Sequence, residues 1–229
     1  MPLLVGLVAL TVVLAGCGSD DPGSATTTTS GDTTTTTAPP GLEQPAIWPA
    51  ADVVFTTPEA AAEDFVTNVL DVPPALGEFK QGDSRSGEID VLSLGEGSNA
   101  QAVVRSTLLL RQLGADDGWF IIGAVNEHET ITSPASLAEV AAGPLEVTGA
   151  GRGFEANLVV TATVAGDEGA ELDRAVTMGG SAEASEPYTV TLDLSDAPTG
   201  STVMLLLRGG TGLETDPGEF SAIPVVITG

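Results

Sequence analysis

The chain has 229 residues, which bounds it to one or two small domains. It carries 32 acidic against 7 basic side chains, a formal net charge of −25, so its surface repels nucleic acid and anionic lipid headgroups. Such a surface suits solubility at the cell surface, which is the first reading, and also a cationic partner or loosely held cations. Its single cysteine, Cys17, excludes a disulfide within the chain, so stability must come from packed cores.

Residues 3 to 15 are almost wholly apolar, from Leu3 to Ala15, and end in the small residues Ala15-Gly16 before Cys17. The run has the length of a signal-peptide core and is too short to cross a bilayer as a helix. Leu14-Ala15-Gly16-Cys17 resembles the lipobox of bacterial lipoproteins. The resemblance implies a signal peptide at 1–16, cleavage before Cys17 and a diacylglycerol on its sulfur. It places the protein, lipid-anchored, on the extracytoplasmic face of the cell membrane. One acyl chain binds a membrane only marginally, so such an anchor needs two or more.

Residues 17–47 read as a linker. Thr26–Thr29, Thr33–Thr37 and Pro39-Pro40 offer no apolar periodicity to bury, so ordering the segment is not compensated and a disordered Thr/Pro-rich spacer is expected. Its reach is about 30 Å, and such stalks are candidates for O-glycosylation.

Residues 48–131 read as a small α+β domain. Thr57-Pro58-Glu59 supplies an N-cap, a proline at the first helical position and an acid in the first turn. Ala62, Phe65, Val66, Val69 and Leu70 follow at helical spacing, and Pro73-Pro74 is the expected stop. Three strand-like runs come next, Glu88–Leu94, Gln101–Leu113 and Trp119–Val125, with a hairpin signal at Asp116-Asp117-Gly118.

Two groups in this half invite a chemical reading. Gly82-Asp83-Ser84 resembles the nucleophile block of Gly-Asp-Ser hydrolases. The only histidine, His128, lacks an aspartate three residues before it, and a nucleophile without a positioned base is weak. A polar loop exposing Arg85 as a contact residue is the better reading. Glu127-His128-Glu129 offers three metal ligands in a row, but neighbours on a strand point to opposite faces. A solvated strand end is expected there. No motif for a metal or cofactor emerges.

Residues 132–229 read as strand after strand. Tyr188, Val190, Leu192 and Leu194 alternate with polar residues, as do Leu158, Val160 and Ala162, while Val203–Leu207 is continuously apolar, as in a central strand. Ile223–Ile227 closes the set, with Pro224 favouring an edge or bulge. With Ile131-Thr132, Leu145–Gly149 and Ala175–Met178 the count is about seven, which fits an immunoglobulin-like sandwich. Ser133-Pro134, Pro144-Leu145-Glu146-Val147-Thr148-Gly149 and Phe154-Glu155 resemble the Gmad2 domain, the immunoglobulin-like module of bacterial spore germination proteins. The resemblance covers about residues 130 to 228 and implies a sandwich fold. Phe154-Glu155 is a candidate contact, although core packing at a strand start is the expected place for Phe154. Asp167, Glu168, Glu171 and Asp173 read as an exposed acidic turn, with calcium, which prefers such oxygen ligands, as the lesser alternative.

The fold expected is thus mainly β: a C-terminal immunoglobulin-like β-sandwich after a small α+β domain and a disordered Thr-rich linker. The function expected is non-enzymatic. A lipid-anchored envelope protein would present a binding or scaffolding surface to an envelope protein or the cell wall, with spore germination-type processes as its setting. The alternative is a cell-wall glycan hydrolase using paired carboxylates, although no acid pair stands out by spacing.

Overall fold

The computed structural model describes residues 42–94, 101–167, 170–181 and 183–229. The signal segment, Cys17 and the linker as far as residue 41 lie outside the described residues, as does Glu168 of the acidic turn. The packed body reaches further back than position 48. Ala46 and Ile47 are buried, and the Ile47 N–H donates to Ile121 O at 2.8 Å.

The helix α1 spans Pro58–Asn68, and the Thr57 hydroxyl accepts from the Ala60 N–H at 3.3 Å as its N-cap. Its buried face is Ala61, Ala62, Phe65 and Val66. It ends before Pro73-Pro74 because Asp71 takes a left-handed backbone, φ +55°, which no helix can continue. Four strands follow: β1 Lys80–Gln81, β2 Ser86–Leu94, β3 Ala102–Leu113 and β4 Gly118–Val125. β1 comes from the stretch read as polar turn; it folds onto β2 through a tight turn in which the Gly82 N–H donates to Ser86 O.

Eight strands make up the remainder: β5 Thr130–Ser133, β6 Glu139–Ala141, β7 Pro144–Gly151, β8 Asn157–Val164, β9 Glu171–Met178, β10 Glu186–Asp193, β11 Thr202–Gly209 and β12 Phe220–Thr228. The extra one, β6, is three residues long and lies parallel to the end of β12. The fold is mainly β, with antiparallel sheets in a sandwich-like arrangement. One sheet runs β1-β2-β3-β4-β12-β11-β8-β9, with β6 also on β12; the other runs β10-β7-β5. Gly149 of β7 is demanded by the second sheet, because a Cβ there would lie 1.8 Å from Thr130 O on β5.

The first sheet crosses the division at 131/132 without a break. β4 meets β12 at Ala124 opposite Ala222, and the chain then passes to the second sheet at β5. The continuous apolar run of β11 has a physical reason: both faces are covered. Val203, Leu205 and Leu207 join Tyr188, Leu192 and Leu158 between the sheets. Met204 and Leu206, on the opposite face, join Phe65, Val66 and Leu70 around α1, as do Phe220 and Ala222 of β12. The Phe65 and Phe220 ring centroids stand 6.4 Å apart.

Pro224 does not mark an edge. β12 is an interior strand, with β11 on one side and β4 then β6 on the other. Pro224 O accepts from the Leu137 N–H, so its ring nitrogen also points to the side where β4 gives way to β6 and no ladder partner is needed.

Because β11 is covered from both sides, the two halves are expected to unfold together. Phe65→Ala should cost about 3–5 kcal/mol and shift both halves together. Trp48 and Trp119 report the helix side by fluorescence, and Tyr188, the only tyrosine, reports the sandwich by near-ultraviolet circular dichroism. Coincident urea transitions are expected; a Tyr188 transition unmoved by Phe65→Ala would show that the halves unfold separately.

Candidate functional site

The polar chemistry of the described residues gathers where the loop between β11 and β12 meets the first four strands. Arg105 is the extra residue of a bulge in β3, since Val104 opposes Leu92 and Ser106 opposes Val91. The bulge re-aims its side chain to Asp216, which is nearly fully buried. The Ser93 hydroxyl donates to the same carboxylate at 2.7 Å, and the Gly218 N–H donates at 2.9 Å. Burial pushes the Asp216 carboxyl up, but the Gly218 N–H, Arg105 and Ser93 outweigh it and hold the group below the usual carboxylate range.

Arg208 reaches from β11 to Leu70 O at the end of α1, at 3.0 Å, and to the carbonyls of Pro217 and Asp216. Arg152 holds Glu219 through two parallel bonds of 2.7 Å. That fork is the main reason the Glu219 carboxyl sits low. Three of the chain's six arginines thus clamp one loop.

Glu129 is not a solvated strand end. It is fully buried at the entry to β5. Its Oε1 accepts from the Arg152 N–H at 2.8 Å, and its Oε2 has no partner. Its backbone is held by Asn126, whose Oδ1 accepts from the Glu129 N–H, and by the Ser221 hydroxyl, which donates to Glu129 O. The side chain fits because Gly151 and Gly209 have none: a Cβ on Gly151 would lie 2.4 Å from Oε2, and one on Gly209 3.1 Å from Oε1. Burial pushes this carboxyl up to about 8, with the Glu219 charge adding to it against Arg152. The Tyr188 hydroxyl is also pushed up, first by burial and then by Glu129. Sequence spacing carries no sign of this acid, whose cradle comes from β7 and β11.

Phe154 is not packed in the core. It opens a single 3₁₀ turn, Phe154–Ala156, and is 56% exposed. Glu155 and Ala156 both have positive φ, 54° and 60°, which turns the Phe154 ring outward over Gly212. The Phe154 N–H donates to Gly210 O at 2.7 Å, so the turn is stitched to the clamped loop, where Leu213 is also exposed. Glu155 is exposed beside it. Arg85 lies elsewhere, in the β1–β2 turn, where its guanidinium reaches Gln112 O and Asp117. Asp83 and Ser86 shape that turn, the Asp83 carboxylate accepting from the Arg85 N–H. His128 pairs with Glu127, while Ser84 lies in the β1–β2 turn. In the acidic turn, Glu171 holds Arg174 and Asp173 accepts from the Asp193 N–H. Among the described residues no three His, Cys, Asp or Glu side chains are placed to hold a metal.

A cleft of about 270 Å³ opens on the outer face of the long sheet, beside the end of α1. Asn68 and Val69 wall it, and Thr161, Arg174, Leu206 and Arg208 form its floor. Asp167 and Glu171 also line it, Glu171 being held by Arg174. Glu129 and Glu219, a second pair of acids, lie elsewhere. One is enclosed and the other is held by Arg152, which is not the open pair of carboxylates that glycoside hydrolysis uses.

The buried acid makes a pH prediction. Unfolded, the Glu129 carboxyl titrates near 4.5; folded, near 8. Between these values the folded chain holds a proton that the unfolded chain has lost. Its contribution is full below about 4.5 and falls by about 1.4 kcal/mol per pH unit up to about 8. Glu129→Gln should match the native protein at pH 5 and exceed its melting temperature at pH 8–9. Parallel melting curves across that range would show that the carboxylate is accommodated as an ion.

No helix among the described residues is long and apolar enough to cross a membrane. No curated protein and no solved structure matches the chain. The sequence model of Gmad2, the immunoglobulin-like domain of bacterial spore germination, matches residues 130–208, from the start of β5 to the end of β11, leaving out β12 and everything before Thr130. This stretch of the chain is similar to the immunoglobulin-like domain of that family.

Proposed function

We propose that the protein is a non-enzymatic, lipid-anchored component of the bacterial envelope that presents a binding or scaffolding surface outside the membrane. One observation carries the binding part. The strongest polar groups, from Glu129 to the Arg152–Glu219 fork, hold the fold together from within, while apolar side chains such as Phe154, Leu213, Val103 and Val104 stand on the surface. Recognition uses exposed apolar side chains on a rigid scaffold. The immunoglobulin-like module agrees with this role, and the family's description supplies spore germination as its setting.

The anchor rests on Cys17 at the end of an apolar run. Cys17 takes the lipid, residues 18 to 41 lift the body off the membrane, and an envelope protein or the wall is the partner. Cys17→Ala should move nearly all of the protein from the detergent to the aqueous phase in Triton X-114 partition. A variant still held in the detergent phase would sink the lipid anchor. In-cell cross-linking of the tagged full-length chain should capture a reproducible protein partner. Hydrolysis of purified wall glycan, lost on changing one acid, would overturn the non-enzymatic reading.

A further inference from the structure

β4 pairs with β3 only from Thr107 onward, where Thr107 opposes Val125, and beyond Val125 the chain leaves for the second sheet. β3 continues the other way to Ala102. Ala102, Val103 and Val104 therefore have β2 on one side and, among the described residues, no strand on the other. The fork is closed by two side chains. The Asn126 amide donates to Arg105 O at 2.7 Å, and the Ser106 hydroxyl donates to Val125 O at 3.0 Å.

The departing strand leaves a groove of about 660 Å³ lined by Val103, Val104, Val125, Asn126, Glu127 and His128 among others. The three valines are each about half exposed. Sheet edges usually carry charge or proline that blocks pairing. Gln101-Ala102-Val103-Val104 has neither, and the bulge at Arg105 turns its side chain to Asp216. An edge with open backbone groups beside apolar pockets is what strand addition requires.

The charge selects the occupant. Glu127, 83% exposed, stands on the rim of a chain of net −25. A second copy would bring the same charge to this edge, whereas a basic segment is attracted to it. We propose that the Ala102–Val104 edge binds an extended segment of a partner protein by strand addition. Apolar residues of the segment enter the valine groove, and alternating lysines or arginines meet Glu127. This names the surface for the binding role above and rests on that role.

The test uses the full-length protein in detergent micelles and a labelled eight-residue peptide of alternating Val and Lys. A second peptide has the same sequence with alternate backbone nitrogens methylated. The first should bind and slow amide exchange at residues 102–105, and the methylated peptide should bind at least about tenfold more weakly. Val104→Glu should weaken the first peptide to a similar degree at an unchanged melting temperature. Equal binding of both peptides would reduce the effect to charge adsorption and overturn the proposal. A concentration-dependent dimer protecting the same amides would overturn it in favour of a second copy. If cells still yield a cross-linked protein partner that Val104→Glu does not reduce, this surface is wrong while the binding role stands.

Discussion

Everything in this protein depends on β11 and β12 being apolar on both faces. Each of Val203, Met204, Leu205, Leu206 and Leu207 is buried, and each such side chain contributes about 1.5–3 kcal/mol when removed from water. A two-sheet sandwich alone would cover only the odd-numbered three. Met204, Leu206, Phe220 and Ala222 need a second layer, and α1 supplies it. The N-terminal helix and meander are thus a cover for the sandwich as much as a domain beside it.

Closing that seam brings polar backbone to the interior, at Leu70 after α1 and at Asp216 and Pro217 in the loop between β11 and β12. Leu70 O, Asp216 O and Pro217 O are satisfied by one guanidinium, that of Arg208. A lysine could not serve here, because a point charge lacks the planar fork that reaches three carbonyls at once. Glu129 lies on the other side of the same loop, and its proton removes a charge that burial would make costly. The loop then holds the Phe154 turn outward through Gly210 and Gly212. The exposed aromatic is therefore a consequence of how the interior is clamped.

What the sequence made legible was local. The N-cap at Thr57, the alternation from Tyr188 to Leu192 and the three-stranded meander all rest on short-range periodicity or capping, and the structure has them within a residue or two. The apolar run of β11 signalled burial on both faces, but nothing in the run names its second cover. Glu129 was placed at a solvated strand end because neighbours in Glu127-His128-Glu129 cannot converge, and its cradle is two glycines far along the chain. Phe154 looked buried because large apolar residues usually are; the positive φ of Glu155, a rare conformation for that residue, decided otherwise. Arg85 was read as a contact residue exposed on a polar loop; it lies in the β1–β2 turn, where its guanidinium reaches Asp117 and Gln112 across the hairpin.

The same charge explains how a protein built of strands can leave an edge uncovered. Among the described residues, one sheet ends in β1 and β9 and the other in β10 and β5. β9 is blunted by Glu171 and Arg174, and β10 by Glu186 and Asp193. The Ala102–Val104 edge has no such protection of its own, yet identical chains carrying −25 each repel one another before their edges meet. That repulsion is selective. It acts against copies of this chain and against other acidic surfaces, and it acts in favour of basic ones. An apolar edge inside a strongly acidic surface is therefore kept open for a partner of opposite charge, and the composition that looks like simple solubility also sets what can dock.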